Sequence, residues 1–245
     1  MAPNNPIRVD RPAYPVQLHG DLAPDLRRWL WLVKWLLLIP HYVILFFLWL
    51  AFLILTIVAF FAILITARYP RSIFEFNTGV LRWAWRVAFY GYGALGTDRY
   101  PPFRLADVID YPARYTVAYP QRLSRGLVLV KWWLLAIPHY LVVGFFVGGG
   151  WAAGRSADQN GPMFGLIGLL VLFAAVVLLF TGRYPGGIFD FVLGMNRWVF
   201  RVGSYAALLT DQYPPFRLDL GGTDPAAATP PVDQPTGAPG SSYHS

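Results

Sequence analysis

The sequence predicts an all-α integral membrane protein made of two tandem repeats. Each repeat reads as a transmembrane helical hairpin, or an interfacial helix plus one span, followed by an amphipathic arginine-bearing helix, with short extended segments between. Three observations carry this reading: a composition that leaves water-facing helices almost nothing to use, an apolar run of 38 residues, and a set of motifs that all occur twice.

Fifty-six percent of the 245 residues are hydrophobic, 17% are aromatic and only 13% are charged. Glu75 is the only glutamate, and Lys34 and Lys131 are the only lysines. Solvated helices normally draw on Glu and Lys for propensity and for i,i+4 pairs. The helices of this chain must therefore face lipid or one another. The net charge of +7 comes almost wholly from arginine, which suits an anionic membrane surface. There is no cysteine, so disulfides, thiolate catalysis and cysteine metal sites are excluded. The first residues hold no apolar core or cleavage site, so the first apolar segment is expected to be a retained anchor.

The duplicated motifs set the organisation. "VKWLLLIPHY" (33–42) returns as "VKWWLLAIPHY" (130–140), and "TARYPRSIFEF" (66–76) as "TGRYPGGIFDF" (181–191). "LRWAWRV" (81–87) returns as "NRWVFRV" (196–202), and "TDRYPPFRL" (97–105) as "TDQYPPFRL" (210–218). This gives a flexible N-terminus over 1–13, a first repeat over 14–110, a second over 111–220, and a disordered Pro/Ala/Gly-rich tail over 221–245.

Each repeat opens on an extended stretch, "YPVQLHG" (14–20) or "YTVAYPQ" (115–121), where proline and alternation suggest an edge strand or polyproline-like path. The apolar run from Leu30 to Ala67 follows. As one helix it would rise about 57 Å, against roughly 30 Å for a bilayer core. In the second repeat, "GGGWAAGRSADQNGP" interrupts the equivalent run, and Arg155, Asp158, Gln159 and Asn160 cannot sit in hydrocarbon. That interruption favours hairpins, with spans near 28–47 and 50–67, then 126–151 and 163–181. In this hairpin arrangement 19 of the 20 lysines and arginines fall on one face, the bias of a cytoplasmic side.

The segments 72–95 and 187–209 carry the candidate site. Arg82 and Arg86, repeated as Arg197 and Arg201, recur at helical spacing behind Glu75 and Asp190. A helix in the interface would aim these arginines at an anion or lipid head group, with Glu75 and Asp190 as charge partners. Asp98, Tyr100 and Phe103, with Asp211, Tyr213 and Phe216, read as structural clamps that close each repeat. His41 and His139 each follow a proline and are expected to help satisfy the carbonyl it leaves without a donor. Two such histidines do not make a zinc set, so no metal and no cofactor are expected. No nucleic-acid module is present.

The motif order "YPV…VKWLLLIPHY…RYPRSIFEF…LRW…R…TDRYPPF", present twice, resembles the bacterial membrane family catalogued as domain of unknown function 4389. The resemblance spans nearly all of 14–218 and implies a bacterial integral membrane protein, with no activity to carry over. The expected role is a non-enzymatic membrane protein that binds anionic lipid or a membrane partner through cytoplasmic-face arginine helices. The alternatives are a small transporter or channel subunit with an arginine-lined anion path, and a lipid-acting membrane enzyme. The expected setting is the inner membrane of a bacterial cell, multi-pass, with most termini and charged loops cytoplasmic. The expected partners are the lipid bilayer, another membrane protein or a second copy of the chain.

Overall fold

The computed structural model describes residues 14–148 and 165–222. The N-terminus, the polar interruption around Arg155 and Asp158, and nearly all of the tail lie outside the described residues. The chain is mostly helical. In order come β1 (Val16–Gly20), α1 (Trp31–Thr66), α2 (Arg71–Tyr90), β2 (Ala113–Val117), α3 (Arg125–Val130), a π-helical turn (Lys131–Leu135), α4 (Ile137–Val147), α5 (Leu166–Thr181) and α6 (Gly186–Ala206).

The turn expected near Trp49 is absent. α1 is one 36-residue helix that carries Pro40 without breaking, about 54 Å long at 1.5 Å per residue. "FFLWLAF" holds no Gly, Pro or Asn to reverse the chain, and local propensity prevails. The helix stops at Ala67, which adopts a left-handed conformation (φ 57°) and donates to the Ile63 carbonyl. Arg68, Tyr69 and Pro70 then turn the chain into α2. Gly182 makes the same stop after α5, with the residue better suited to it.

The second copy is not a hairpin either. Gly165, which starts α5, lies so close to the end of α4 that a Cβ would collide with the backbone of Phe146 and Val147. α5 therefore begins where α4 ends. The outer contacts agree. Leu123, just before α3, donates its N–H to the Ala67 carbonyl at the end of α1. At the opposite end, the Arg28 guanidinium before α1 packs against Gly182 after α5. A hairpin would bring both ends of the second apolar segment to one place. Here they sit at the two ends of α1, so α3–α4–α5 forms a second rod antiparallel to the first.

One extra residue in "VKWWLLAIPHY" explains the π-helical turn. Lys34 and His41 are seven residues apart, two turns, and face the same way; Lys131 and His139 are eight apart. The widened turn absorbs the surplus residue, so both Lys131 and His139 are buried like their counterparts.

β1 and β2 pair antiparallel, with Leu18 opposite Tyr115 at the centre. The second strand starts two residues earlier than the sequence suggests, because Tyr111 rather than Tyr115 plays the part of Tyr14. Tyr14 donates to the Gln212 carbonyl and Tyr111 to the Arg99 carbonyl, at matching places in the two YPPF segments. α2 lies between this ribbon and α1. Trp83, Val87 and Tyr90 face Leu38 and Leu45 of α1. Arg82 and Trp85, on another side of the helix, bond to carbonyls of the ribbon. α6 holds the same position in the second half, and Trp85 meets Phe200 where α2 and α6 touch. The arginine helices are thus a central layer rather than interfacial helices.

Candidate functional site

The four arginines of the central layer point into the protein. Arg82 donates from Nε to the Tyr115 carbonyl (3.1 Å) and from NH1 to the Leu105 carbonyl (3.0 Å). Arg86 is buried and donates to the carbonyls of Ala106 and Arg104. Burial, then the nearby charge of Arg82, lowers its pKa to about 10, so it stays cationic at neutral pH. Arg197 is fully buried and holds three carbonyls, those of Leu18 (2.9 Å), Asp219 (2.7 Å) and Gly222 (2.7 Å). Arg201 pairs with the Asp219 carboxylate at 2.7 Å. Each guanidinium therefore pins the return segment or the ribbon onto its helix.

The expected charge partners do not take part. Glu75 is exposed and Asp190 half-buried, and among the described residues neither forms an ion pair with these arginines. At seven residues' separation they lie two turns from Arg82 and Arg197, and ribbon carbonyls are nearer. Asp219 is the carboxylate the sequence reading missed. It comes two residues after Arg217, just beyond the repeated motif, so duplication gave no signal for it.

The clamp residues occupy a different and well-defined site. Lys34, in the first turn of α1, is buried, and its ammonium sits 2.9 Å from Asp98 and 2.7 Å from the Thr97 carbonyl. The other oxygen of Asp98 accepts the Arg27 backbone N–H at 2.6 Å. In the second copy Lys131 lies 2.9 Å from Asp211 and 3.0 Å from the Thr210 carbonyl, while Asp211 also accepts the Ser124 N–H. The "TD" of each motif thus fastens the only two lysines of the chain and the backbone leading into each rod.

The aromatic residues of the motif reach further along the same rod. Tyr100 donates to the Leu37 carbonyl (2.9 Å), and Tyr213 to the Leu135 carbonyl (3.1 Å). Phe103 stacks on His41 with centroids 4.0 Å apart, and Phe216 on His139 at 4.2 Å. The sequence suggests that each histidine satisfies the carbonyl its proline frees; instead the imidazoles face Trp83 and Trp198, and Tyr100 and Tyr213 donate to the neighbouring Leu37 and Leu135 carbonyls. His41 Nδ1 accepts from Trp83 (3.0 Å), and His139 Nδ1 from Trp198 (3.1 Å). Each neutral imidazole therefore carries its proton on Nε2. The clamp joins rod and arginine helix.

Among the described residues no group of three or more His, Cys, Asp or Glu side chains could hold a metal. An open groove of about 480 Å³ is lined by Leu53, Thr56, Ile57, Phe60, Tyr140 and Leu208. Its walls are nearly all apolar.

A model of the family described as a domain of unknown function, DUF4389, matches residues 28–104 and 164–217, more than half of the chain. The chain belongs to this family. The two DUF4389 segments cover both arginine helices and both YPPF motifs, in keeping with two copies. They skip 105–163, where β2, the π-helical turn and α4 lie. No curated protein and no solved structure matches the chain.

Proposed function

We propose that this DUF4389 protein is a non-enzymatic membrane protein of the bacterial inner membrane that engages anionic lipid. One observation carries the reading. α1 is long and apolar enough to cross a membrane, yet only 17% of its most apolar window is buried. Leu36, Phe47, Ile54, Phe61 and Ile65 are all exposed along it. Exposed apolar surface of this extent marks lipid or a partner, not water. α4 and α5 add Leu141, Phe145, Leu172, Phe173 and Phe180.

Head-group contact falls to exposed arginines at the rod ends. Arg68, Arg71, Arg122 and Arg125 are exposed where the end of α1 meets the start of α3, and Arg27, Arg28 and Arg183 are exposed at the opposite end. Arg82, Arg86, Arg197 and Arg201 donate inward to the protein's own carbonyls and to Asp219 rather than out to a head group. Guanidiniums flanking an apolar surface are the pattern that attracts anionic lipid, at about 1 kcal/mol per charge near the surface.

Fractionation of expressing cells tests this. The protein is expected in the membrane pellet after an alkaline carbonate wash and to leave it only with detergent. Recovery in the carbonate supernatant would overturn the reading.

A further inference from the structure

The two halves exchange matching contacts. Tyr69 donates to the Ala207 carbonyl and Tyr184 to the Ala94 carbonyl. Arg82 holds Tyr115 of β2, and Arg197 holds Leu18 of β1. The strand register maps onto itself, with Leu18 and Tyr115 facing each other at its centre. These reciprocal pairs define an approximate two-fold axis through the ribbon and the contact of Trp85 with Phe200. The axis exchanges the two rods and reverses their direction, so it runs across them. The ribbon consequently lies level with the middle of the rods, not beyond either end.

That geometry conflicts with rods that cross a bilayer. Each is about 54 Å long, well over the roughly 30 Å of a hydrocarbon core. Upright rods would also place the ribbon side of the molecule at mid-depth. Arg104, Asp107 and Asp110 are exposed there, and Arg114 pairs with Asp107 across a solvent-open surface. Charges at the bilayer centre are strongly disfavoured, and so are irregular segments facing lipid.

Laid flat, the same molecule sorts itself. α2 and α6 separate the ribbon from the rods, so the charged ribbon faces one way and the rods the other. The buried stripe of α1 (Lys34, Leu38, His41, Leu45, Phe52, Ala59, Ile63) recurs at intervals of three, four or seven residues, on one face along its whole length. Leu36, Val43, Phe47, Ile54, Phe61 and Ile65 form a line on the opposite side, exposed from one end to the other. The exposed arginines stand at both rod ends. The exposed apolar line therefore runs the full length of the rod, with basic residues at both ends rather than at one.

We propose that both rods lie in the plane of one anionic leaflet, with their outer faces among the acyl chains and the ribbon in water on the same side as both rod ends. This rests on the membrane reading above, and fractionation tests that reading separately. Because the chain has no cysteine, single-cysteine variants report without background. Asp25→Cys marks one rod end, Ser72→Cys the other, and Asp110→Cys the ribbon; all three positions are exposed. An impermeant maleimide applied to spheroplasts and to inside-out vesicles should label all three from the same side. Labelling of positions 25 and 72 from opposite sides would overturn the proposal. In phosphatidylglycerol/phosphatidylethanolamine vesicles, spin labels at Leu36→Cys, Phe47→Cys, Ile54→Cys and Phe61→Cys should report one common depth. A deepest value at position 47 with shallow ends would mean a spanning rod. Labels shielded from lipid altogether would mean that a second copy covers the face. Either result contradicts the proposal even if the protein is in the membrane.

Discussion

The two rods solve one packing problem by different means. The first is a continuous helix. The second begins with a short helix, widens into a π-helical turn, and is interrupted between α4 and α5. Yet both place a lysine on a Thr-Asp pair, a histidine on a phenylalanine, and a left-handed residue at the end. What the copies share is the stripe that meets the arginine helix. What they do not share is the face that meets neither helix nor ribbon. A surplus residue is tolerated because a π-helical turn keeps the stripe in phase, and the extra sequence of the second copy enters between α4 and α5.

The largest effects are expected at the clamps. Asp98→Ala should leave the Lys34 ammonium buried without its partner and lower stability by about 3–5 kcal/mol. Asp211→Ala should do the same to Lys131, and unequal losses would show that the two clamps are not equivalent. Thermal unfolding in detergent reads both. Arg197→Ala comes next, at about 3 kcal/mol for the three hydrogen bonds it removes. Arg82→Ala removes two from a half-buried position and should cost visibly less. Deleting Trp133 should convert the π-helical turn to α-helix, restore the seven-residue Lys-to-His spacing, and change stability by no more than about 1 kcal/mol. Loss of the folded state on that deletion would mean the wide turn has a role of its own. The smallest effects belong to the rod stops. Ala67→Gly should stabilise by about 0.5–1 kcal/mol by relieving a left-handed alanine. Gly182→Ala should destabilise by more than that, since its Cβ would also displace the Arg28 guanidinium.

Much of this was legible in the sequence, and the failures have physical causes. The duplication exposed both copies, both arginine helices and both clamp motifs, because each is a local pattern. The scarcity of lysine made Lys34 and Lys131 conspicuous, but nothing local tied them to Asp98 and Asp211, more than sixty residues away in each case. A polar interruption in one copy suggests hairpins in both, but the uninterrupted apolar α1 stays one helix. Rod length suits a hairpin, a tilted span or a flat helix equally well, and only contacts at both ends separate them. The arginines were read as outward because charge spacing gives a helix face but not what covers it. The covering carbonyls come from Leu18, Tyr115 and the return segments, which carry no polar side-chain signal.

If the second apolar segment is one rod running antiparallel to α1, its two ends lie far apart. A pulsed dipolar measurement between spin labels at Arg125→Cys and Arg183→Cys reads that separation. These positions flank the two ends of the rod, so about 50–60 Å is expected. A distance near that of two packed helices, about 10 Å, would mean that the chain doubles back and would contradict the single rod.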